Sequence, residues 1–336
     1  MNDVVVAIRP RAMGDVVLAT PAFRSLALGA PDADLHVVTD ARFAPLVEGL
    51  PWVKHVWRIE RTNVSTRDIV AGLRRRRVRT AVDFFGNIRS AVIARASGAR
   101  SVFGYELRGR KHLYTTTVPR EIRFGEDHRE HASAVHVRLA LAAGGATTTL
   151  TPELAVNESS VLEARRLLAT AGVTEPSNTV GLVAAGSWTT KMWPLSHSAV
   201  LARRLMSAGF VVLILAGPGE EQVTARLEGM VPGVRVLPSC DVAELAAVIR
   251  ALRAVVGTDS GPRHLAAAWG VPSFAWFGPT HPDTWNPPGA IHGYWRTALP
   301  CRSCDRTACP HWNCLPGLSP QEGARLVMDH LDRHGR

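Results

Sequence analysis

The chain has 336 residues, enough for two domains of ordinary size. Hydrophobic residues make up 46% and charged residues 20%, which excludes a mostly disordered chain. The 39 Lys and Arg residues against 29 Asp and Glu leave a net charge of +10, which favours an anionic partner: a nucleotide, an acidic glycolipid, a membrane surface or nucleic acid.

The first predicted strand is the β-branched run Val4–Ile8, followed by a glycine-bearing loop and a helix through Leu26. Pro21 inside that helix predicts a kink or a late start. The elements predicted after it are the strand 36–39, the helix 67–77 and the strand 80–85. Strands that alternate with helices predict βαβ units and a parallel sheet.

The second half repeats this pattern from a strand at Thr179–Ala184. The elements predicted after it are the helix 197–208, the strand 210–216, the helix 243–252, the strand 254–257, the helix 263–269, the strand 273–277 and the helix 320–334. We predict an α/β fold with a first domain at 1–173, a linker at 174–178, a second domain at 179–318 and a terminal helix at 319–336. Ligands of such sheets bind at the carboxyl ends of the strands.

Targeting and membrane signals are weak. Only five apolar residues follow Met1-Asn-Asp3, so the basic start and long apolar core of a signal peptide are missing. No apolar run approaches the roughly 18 residues of a transmembrane helix. We therefore expect a cytoplasmic protein.

Asp15 is the first candidate for chemistry. Gly14 permits a turn after the first strand, and Asp15 then opens a helix. At the end of a strand this carboxylate can act as a general base on an acceptor hydroxyl. The alternative is a capping aspartate that accepts the first amides of the helix.

Two further candidates lie in the second half. The loop 185–194 offers Ser187 and Lys191, a hydroxyl and an ammonium group that suit a phosphate, although an ordinary polar loop remains the alternative. Glu220 follows the next strand and can accept from ribose hydroxyls. Its alternative role is to offset a helix dipole.

The segment 257–267 combines a strand end, a Ser-Gly turn and a helix start. Its candidate residues are Asp259, Ser260, Gly261 and His264. Amides at such a helix start can bind a diphosphate without a metal. A structural histidine and a capping aspartate are the alternatives for His264 and Asp259.

Four of the five cysteines lie within 14 residues, at Cys301, Cys304, Cys309 and Cys314. In a reducing compartment this spacing suggests a structural zinc or iron site. Free buried thiols and disulfides are the alternatives. No open ligand position is implied, so we predict no catalytic metal at this cluster.

These residues, taken in order, resemble the heptosyltransferase family, glycosyltransferase family 9. The matching motifs are Ile8-Arg-x3-Met-Gly-Asp15, Asp83-x2-Gly-Asn-x-Arg-Ser90, Lys191-x-Trp-Pro194, Gly217-Pro-x-Glu220 and Asp259-Ser-Gly-x2-His-Leu-Ala266. The resemblance implies a GT-B fold, with two Rossmann-like domains facing a central cleft. It also implies an inverting, metal-independent transfer of heptose from ADP-L-glycero-β-D-manno-heptose to the lipopolysaccharide inner core.

The resemblance assigns roles residue by residue. It makes Asp15 the catalytic base and Lys191, with Ser187 nearby, the binding site of the donor diphosphate. It makes Glu220 the ribose ligand. It assigns diphosphate and sugar binding to Asp259, Ser260, Gly261 and His264, and it leaves Arg61, Arg67 and Arg89 as candidates for binding the acceptor. Relatives that use lipopolysaccharide often have paired threonines several residues before the lysine, whereas here Thr189-Thr190 adjoins Lys191.

The implied partners are a nucleotide sugar, an anionic glycolipid acceptor and, transiently, the surface of the inner membrane, to which the protein would be peripheral. An alternative keeps the fold but glycosylates a protein or a small secondary metabolite with heptose or another sugar. A second alternative is a non-catalytic nucleotide-sugar-binding protein. Nucleic acid is not an expected partner, because the chain has no interleaved basic and aromatic stripe.

Overall fold

A computed structural model describes residues 2–60, 63–121, 123–124, 128–301 and 303–335. The chain divides into two compact units, residues 1–156 and 157–336. Each unit is built on its own six-stranded parallel sheet with helices on both faces. The prediction of an α/β chain with two parallel sheets is therefore confirmed.

The first unit contains eight strands and four helices among its described residues. In chain order they are β1 (Asp3–Ile8), α1 (Met13–Gly29), β2 (Ala33–Asp40), β3 (His55–Ile59), α2 (Asn63–Arg74), β4 (Arg77–Asp83), α3 (Ile88–Ala96), β5 (Ser101–Tyr105), β6 (Thr116–Val118), β7 (Arg123–Phe124), β8 (His128–Arg129) and α4 (Ala132–Ala142). The main sheet has the order β3-β2-β1-β4-β5-β6, and β7 and β8 form a separate antiparallel pair.

Strand β1 lies in the middle of the first sheet and is apolar along nearly its whole length because both faces are covered. Val4, Val6 and Ile8 pack in one cluster with side chains of α2 and α3. The order of the strands reverses between β1 and β4, so the carboxyl ends of these two strands form the switch point where ligands of such sheets bind.

Helix α1 begins at Met13 and continues through Pro21 to Gly29, so the late start that we considered does not occur. Pro21 has no N–H, and the Val17 carbonyl thereby loses its usual helical donor. The Thr20 hydroxyl donates to the Val17 carbonyl at 2.7 Å instead. A neighbouring side chain thus satisfies the acceptor that the proline leaves open.

The second unit contains six strands and seven helices in the residues described. In chain order they are α5 (Glu158–Thr170), β9 (Thr179–Val183), α6 (Leu195–Ser207), β10 (Val211–Ile214), α7 (Glu221–Met230), β11 (Arg235–Val236), α8 (Val242–Ala251), β12 (Ala254–Thr258), α9 (Gly261–Ala268), β13 (Ser273–Phe277), α10 (Pro282–Trp285), β14 (His292–Arg296) and α11 (Pro320–His334). The sheet order is β11-β10-β9-β12-β13-β14, the same arrangement as in the first unit.

Gly257 brings β12 very close to β9. Its φ of +132° lies in a region that other residues rarely adopt, and a Cβ atom there would lie 2.1 Å from the Val183 carbonyl oxygen. The two strands pair in register from Ala254–Val180 to Gly257–Val183. Glycine at this position therefore lets the loops that follow the two strands start side by side.

The observed division at residue 156 lies before the predicted linker at 174–178. Helix α5 packs against α8 and belongs with the second unit, where part of the predicted linker forms a short 3₁₀ turn, Pro176–Asn178. Helix α11 is likewise part of that unit: Val327 and Leu331 are buried in its core with Trp193. In the described ranges, no helix combines the length and apolarity that crossing a bilayer requires.

Candidate functional site

In the second unit, an ion pair occupies the switch point between β9 and β12. The Lys191 ammonium follows β9 and lies 3.0 Å from Oδ2 of Asp259, the first residue after β12. Lys191 also lies over the ring of Trp188, with 4.7 Å between Nζ and the ring centroid. The lysine side chain is 19% exposed and the aspartate only 2%. The ammonium is therefore the member of the pair that a ligand can reach.

Asp259 is held as a buried carboxylate by the groups around it. Thr280 donates its hydroxyl to Oδ2 at 2.9 Å, the same oxygen that Lys191 contacts. Burial alone would raise the pKa of this carboxyl group, but the charges of Lys191, Arg263 and His264 outweigh it and hold the pKa below its ordinary value. Asp259 thus stays ionised, and its contact with the ammonium group fixes the position of Lys191.

Arg263 is a second, fully buried cation behind this pair, and our sequence analysis missed it. Its Nε–H donates to the Ser273 hydroxyl at 3.3 Å, and Nη2 donates to Asn286 Oδ1 and to the Gly293 carbonyl. Burial lowers the pKa of Arg263 to about 10, while the charge of Asp259 acts in the opposite direction. A signal was present in the sequence: an arginine in the first turn of a helix that otherwise reads as small and apolar.

The other residues predicted to bind the nucleotide sugar differ in their burial and in their hydrogen bonds. His264 is buried in the first turn of α9, near enough to Asp259 to act on its charge. The Ser260 hydroxyl donates to the Thr258 carbonyl at 3.2 Å. Ser187 is exposed on its loop. Glu220 is half-buried, and its Oε2 accepts the Gly217 N–H at 2.7 Å, so its carboxylate is already used to close its own turn.

The helix start at α9 offers fewer amides than we expected. Pro262 has no N–H, and the Arg263 N–H donates to the Ser260 carbonyl at 3.2 Å. Neither of these two residues therefore supplies an amide to a ligand. The amides of Ser260 and Gly261 remain as the candidate donors at this helix start.

In the first unit, Asp15 forms an ion pair with Arg9 at the corresponding switch point. Arg9 Nη2 lies 2.7 Å from Asp15 Oδ1, and the Ala12 N–H donates to Oδ2 at 3.1 Å. Asp15 is the third residue of α1 and caps the helix by accepting the amide of the N-cap residue Ala12, whereas the alternative that we weighed placed Asp15 itself at the N-cap. Arg9 is 3% exposed, whereas the Asp15 side chain is 27% exposed. Here the carboxylate is the accessible member of the pair.

Arg9 is fixed from several sides, and the sequence analysis did not single it out. Its Nη1 donates to the Phe84 carbonyl at 2.6 Å, and its guanidinium group lies 5.2 Å from the centroid of the Phe85 ring. Its Nε atom has no hydrogen-bond partner among the described residues. These contacts hold the cation in place, and the cation in turn orients Asp15.

Asp83, at the end of β4, is a fully buried structural carboxylate. The amides of Phe85 and Gly86 donate to Oδ1, and the hydroxyls of Ser90 and Tyr114 donate to Oδ2 at 2.8 Å each. Burial raises the pKa of Asp83, although these four hydrogen bonds act to lower it. The motif around Asp83 thus ties β4 to the start of α3.

The three acceptor candidates fall in the first unit. Arg89 donates from Nε to the Thr66 hydroxyl at 2.8 Å and from Nη2 to the Glu60 carbonyl at 3.2 Å. Arg67 is exposed on α2. Arg61 lies outside the residues that the structure describes.

The four clustered cysteines line a single pocket of about 310 Å³, a volume that includes its open mouth. His311 lines it too, and so do Thr190 and the turn Gly278–Pro279. All four thiols are free, and no three His, Cys, Asp or Glu side chains in the described ranges are placed to share an ion. The predicted grouping of the cysteines is present, whereas a preformed metal site is not.

The chain matches known proteins along most of its length. Residues 67–314 match the sequence model of glycosyltransferase family 9 (heptosyltransferase). Lipopolysaccharide heptosyltransferase 1 of Pseudomonas aeruginosa is 33% identical over 144 residues, 43% of this chain. In this and two further relatives of the same name, the match spans 39, 34 and 33% of the relative's length, so this chain is aligned with well under half of each.

Solved structures share the fold over the whole chain. A family 9 glycosyltransferase of Veillonella parvula superposes with a TM-score of 0.86 at 18% identity, covering 99% of this chain and 98% of that one. The E. coli ADP-heptose lps heptosyltransferase II superposes with a TM-score of 0.80 at 20% identity, covering 98% of each.

Proposed function

Since the chain belongs to glycosyltransferase family 9, the heptosyltransferase family, we propose that it transfers heptose from ADP-L-glycero-β-D-manno-heptose to a hydroxyl of the lipopolysaccharide inner core. One observation carries this proposal: the two units hold ion pairs of opposite accessibility at equivalent points of their sheets. The first presents a carboxylate, Asp15, and the second presents an ammonium group, Lys191. Glycosyl transfer needs a base for the acceptor hydroxyl and a cation for the leaving diphosphate, which are the tasks of these two groups.

On the donor side, the reaction breaks the bond between the anomeric carbon and the phosphate oxygen, and the electron pair leaves with ADP. Lys191 has three N–H donors and uses two on Asp259, to Oδ2 at 3.0 Å and to the backbone carbonyl at 3.4 Å, which leaves one for the departing diphosphate. The Ser260 and Gly261 amides at the start of α9 add fixed partial positive charge. Such preorganised charge stabilises a leaving group without the reorganisation that water requires.

Glu220 and Ser187 have supporting roles in this proposal. Glu220 lies past the end of β10, the strand beside β9, where a carboxylate can accept from ribose hydroxyls. Its second oxygen can do so while Oε2 keeps the Gly217 amide. Ser187 is exposed on the loop that carries Lys191 and can donate to a phosphate oxygen.

On the acceptor side, Asp15 takes the proton of the attacking hydroxyl as the new glycosidic bond forms. The Arg9 pair holds Oδ1 in place, while an oxygen lone pair of the 27% exposed carboxylate receives the proton. Attack from the face opposite the leaving diphosphate inverts the anomeric centre. No metal is needed in these steps, because Lys191 and the amides of α9 meet the charge of the diphosphate.

The acceptor proposal relies on the basic surface of the first unit. An inner-core glycolipid carries anionic groups, and Arg67 on α2 and the partly buried Arg89 offer guanidinium groups for them. A lipid-linked acceptor would bring this enzyme to the cytoplasmic surface of the inner membrane, as a peripheral protein. Attraction of basic residues to anionic lipid would favour that contact.

The test is a transfer assay with a defined donor and acceptor. We expect purified protein to release ADP from ADP-heptose only when a heptose-deficient lipopolysaccharide core is present, and to add one heptosyl residue to that core by mass. NMR of the new linkage should show the inverted anomer. Transfer from a UDP or GDP sugar but not from ADP-heptose, or transfer only to a protein or a small metabolite, would contradict the proposal.

A further inference from the structure

Behind the ion pair of the second unit, Arg263 is anchored by three elements. Its Nε–H donates to the Ser273 hydroxyl on β13, and its Nη2 donates to Asn286 Oδ1, just after α10, and to the Gly293 carbonyl on β14. The side chain is only 2% exposed. Arg263 is therefore a fixed cation that a ligand in the site neither reaches nor moves.

Arg263 and Asp259 flank the same end of β13. The guanidinium group lies over the ring of Phe277, the last residue of β13, with 5.3 Å between Cζ and the ring centroid. Thr280, three residues later, donates its hydroxyl to Asp259. The Arg263 N–H donates to the Ser260 carbonyl, which ties the first turn of α9 to the residue after Asp259. No hydrogen bond joins Arg263 to Asp259 in the described part of the chain, so the two charges act on each other through space.

Few other charges compete with this pair. The remaining titratable groups that face Asp259 or Arg263 are Lys191, His264, His292 and His330. Burial lowers the pKa of His292 to about 3 and also lowers the pKa of His330, so both rings are uncharged at neutral pH. Behind Asp259, the permanent positive charge is therefore that of Arg263.

Asp259 thus has two counter-charges that differ in mobility. Lys191 is 19% exposed, and a diphosphate that binds its ammonium group competes with Asp259 for the same N–H donors. A buried carboxylate that loses its counter-charge tends to take up a proton, because burial favours the neutral form. Arg263 opposes this: its pKa of about 10 keeps it charged at neutral pH, and its hydrogen bonds keep it in place.

We propose that Arg263 is a positioning residue that keeps Asp259 ionised while Lys191 binds the donor diphosphate. An ionised Asp259 continues to hold the ammonium group during donor binding and receives it again when the nucleotide leaves. The proposal rests on the donor role of Lys191 proposed above, whereas the charge of Asp259 can be measured without any ligand.

The first experiment observes the Asp259 carboxyl group in the ligand-free protein by carbon-13 NMR, with the signal assigned through Asp259→Asn. Lys191→Met removes the mobile counter-charge, and Asp259 should still be ionised at pH 7. Adding Arg263→Gln to Lys191→Met should raise the midpoint of the Asp259 titration by about one pH unit or more. The matched control is Arg203→Gln, an exposed arginine on α6, which should leave that midpoint unchanged.

The second experiment counts protons during donor binding. Calorimetry of ADP-heptose in buffers of different ionisation enthalpy measures proton uptake, and the diphosphate of this donor does not itself titrate near pH 7. Arg263→Gln should take up more protons than the wild type, by at most about one per donor bound. Arg263→Lys restores a positive charge and should return the count to the wild-type value. A purely structural role would lower stability in both variants without changing the proton count.

The outcomes separate the parts of the proposal. Protonated Asp259 at pH 7 in Lys191→Met would overturn it, and so would a titration that Arg263→Gln leaves unchanged. Equal proton uptake by the wild type and Arg263→Gln would overturn the link to donor binding. If Arg263→Gln does not fold, Lys191→Met alone still decides whether Asp259 stays ionised without its lysine. If the wild type binds no ADP-heptose, the donor role of Lys191 fails and the NMR result is unaffected.

Discussion

The two switch points of this protein use the same pair of charges in opposite ways. In the first unit the cation Arg9 is buried and the carboxylate Asp15 is accessible; in the second the carboxylate Asp259 is buried and the cation Lys191 is accessible. In each pair the buried member stabilises and orients the accessible one. The accessible member is the one that a substrate can reach, and the proposed function gives proton transfer to the first unit and anion binding to the second.

The largest expected effect is on turnover, from Asp15→Asn. An amide cannot take the proton of the acceptor, so kcat should fall by about 10²–10⁴-fold, the usual contribution of a positioned general base. ADP affinity should stay the same, because the donor residues lie in the other unit. Steady-state kinetics with ADP calorimetry checks both. A variant that turned over at nearly the wild-type rate would remove Asp15 from the mechanism.

The second prediction concerns the buried carboxylate. Asp259→Asn leaves Lys191 and Arg263 without their counter-charge, and breaking a buried pair in this way costs about 3–5 kcal/mol. Chemical denaturation should show that loss. Glu322→Gln, which breaks an exposed ion pair with Arg325 on α11, is the control and should cost far less. Equal losses from the two changes would contradict the buried role of Asp259.

The third prediction concerns the accessible cation. Lys191→Ala should weaken ADP binding by about 10–100-fold, because hydrogen bonds to charged groups contribute about 1.5–3 kcal/mol. Turnover at saturating donor should also fall, since the leaving diphosphate loses charge stabilisation. Calorimetry measures the first effect, with Arg250→Ala on α8 as a control change of a basic residue. If Lys191→Ala left the ADP affinity unchanged, Lys191 would not be a ligand of the diphosphate.

The smallest effect is a loss of stability in mild acid that both units should share. Burial lowers the pKa of His36 in the first unit to about 4 and that of His292 in the second to about 3, each from 6.5. A histidine with a depressed folded pKa stabilises the fold fully above pH 6.5, and this contribution is lost as the pH falls toward the folded value. Each should cost about 2 kcal/mol between pH 7 and pH 5.

Burial is the main cause of the lowered pKa in both histidines, and each ring also has a polar neighbour at Nδ1. Trp57 Nε1–H donates to His36 Nδ1 at 3.2 Å. Arg263 donates to the Ser273 hydroxyl, and that hydroxyl lies 2.9 Å from His292 Nδ1. Melting curves from pH 7 to 5 for His36→Gln and His292→Gln should each be flatter than that of the wild type. An unchanged slope would contradict the depressed pKa in that unit.

Local pattern predicted the sheet cores well. The strand predicted at 273–277 has those bounds in the structure, and Val4–Ile8 differs by one residue, since both are apolar runs buried on two faces. Strand β3, His55–Ile59, was not predicted. It lies at the edge of its sheet and is half-exposed, so its side chains give neither a continuous apolar run nor a clear alternation.

The accessible members of both ion pairs were predicted from sequence, but the pairing was not. Lys191 and Asp259 are 68 residues apart, and they meet only because β9 and β12 are neighbours in the sheet. Arg9 and Arg263 were missed because a buried arginine looks like a surface one until its partners are known. Strand order and burial are long-range properties, which the spacing of residues in one segment does not encode.

Gly257 limits which substitutions this protein can accept. Its backbone leaves 2.1 Å between a would-be Cβ atom and the Val183 carbonyl, so even alanine would push β12 away from β9. A library of variants can therefore change the loops on either side, but it should keep this glycine. Any side chain there would move Lys191 and Asp259 apart.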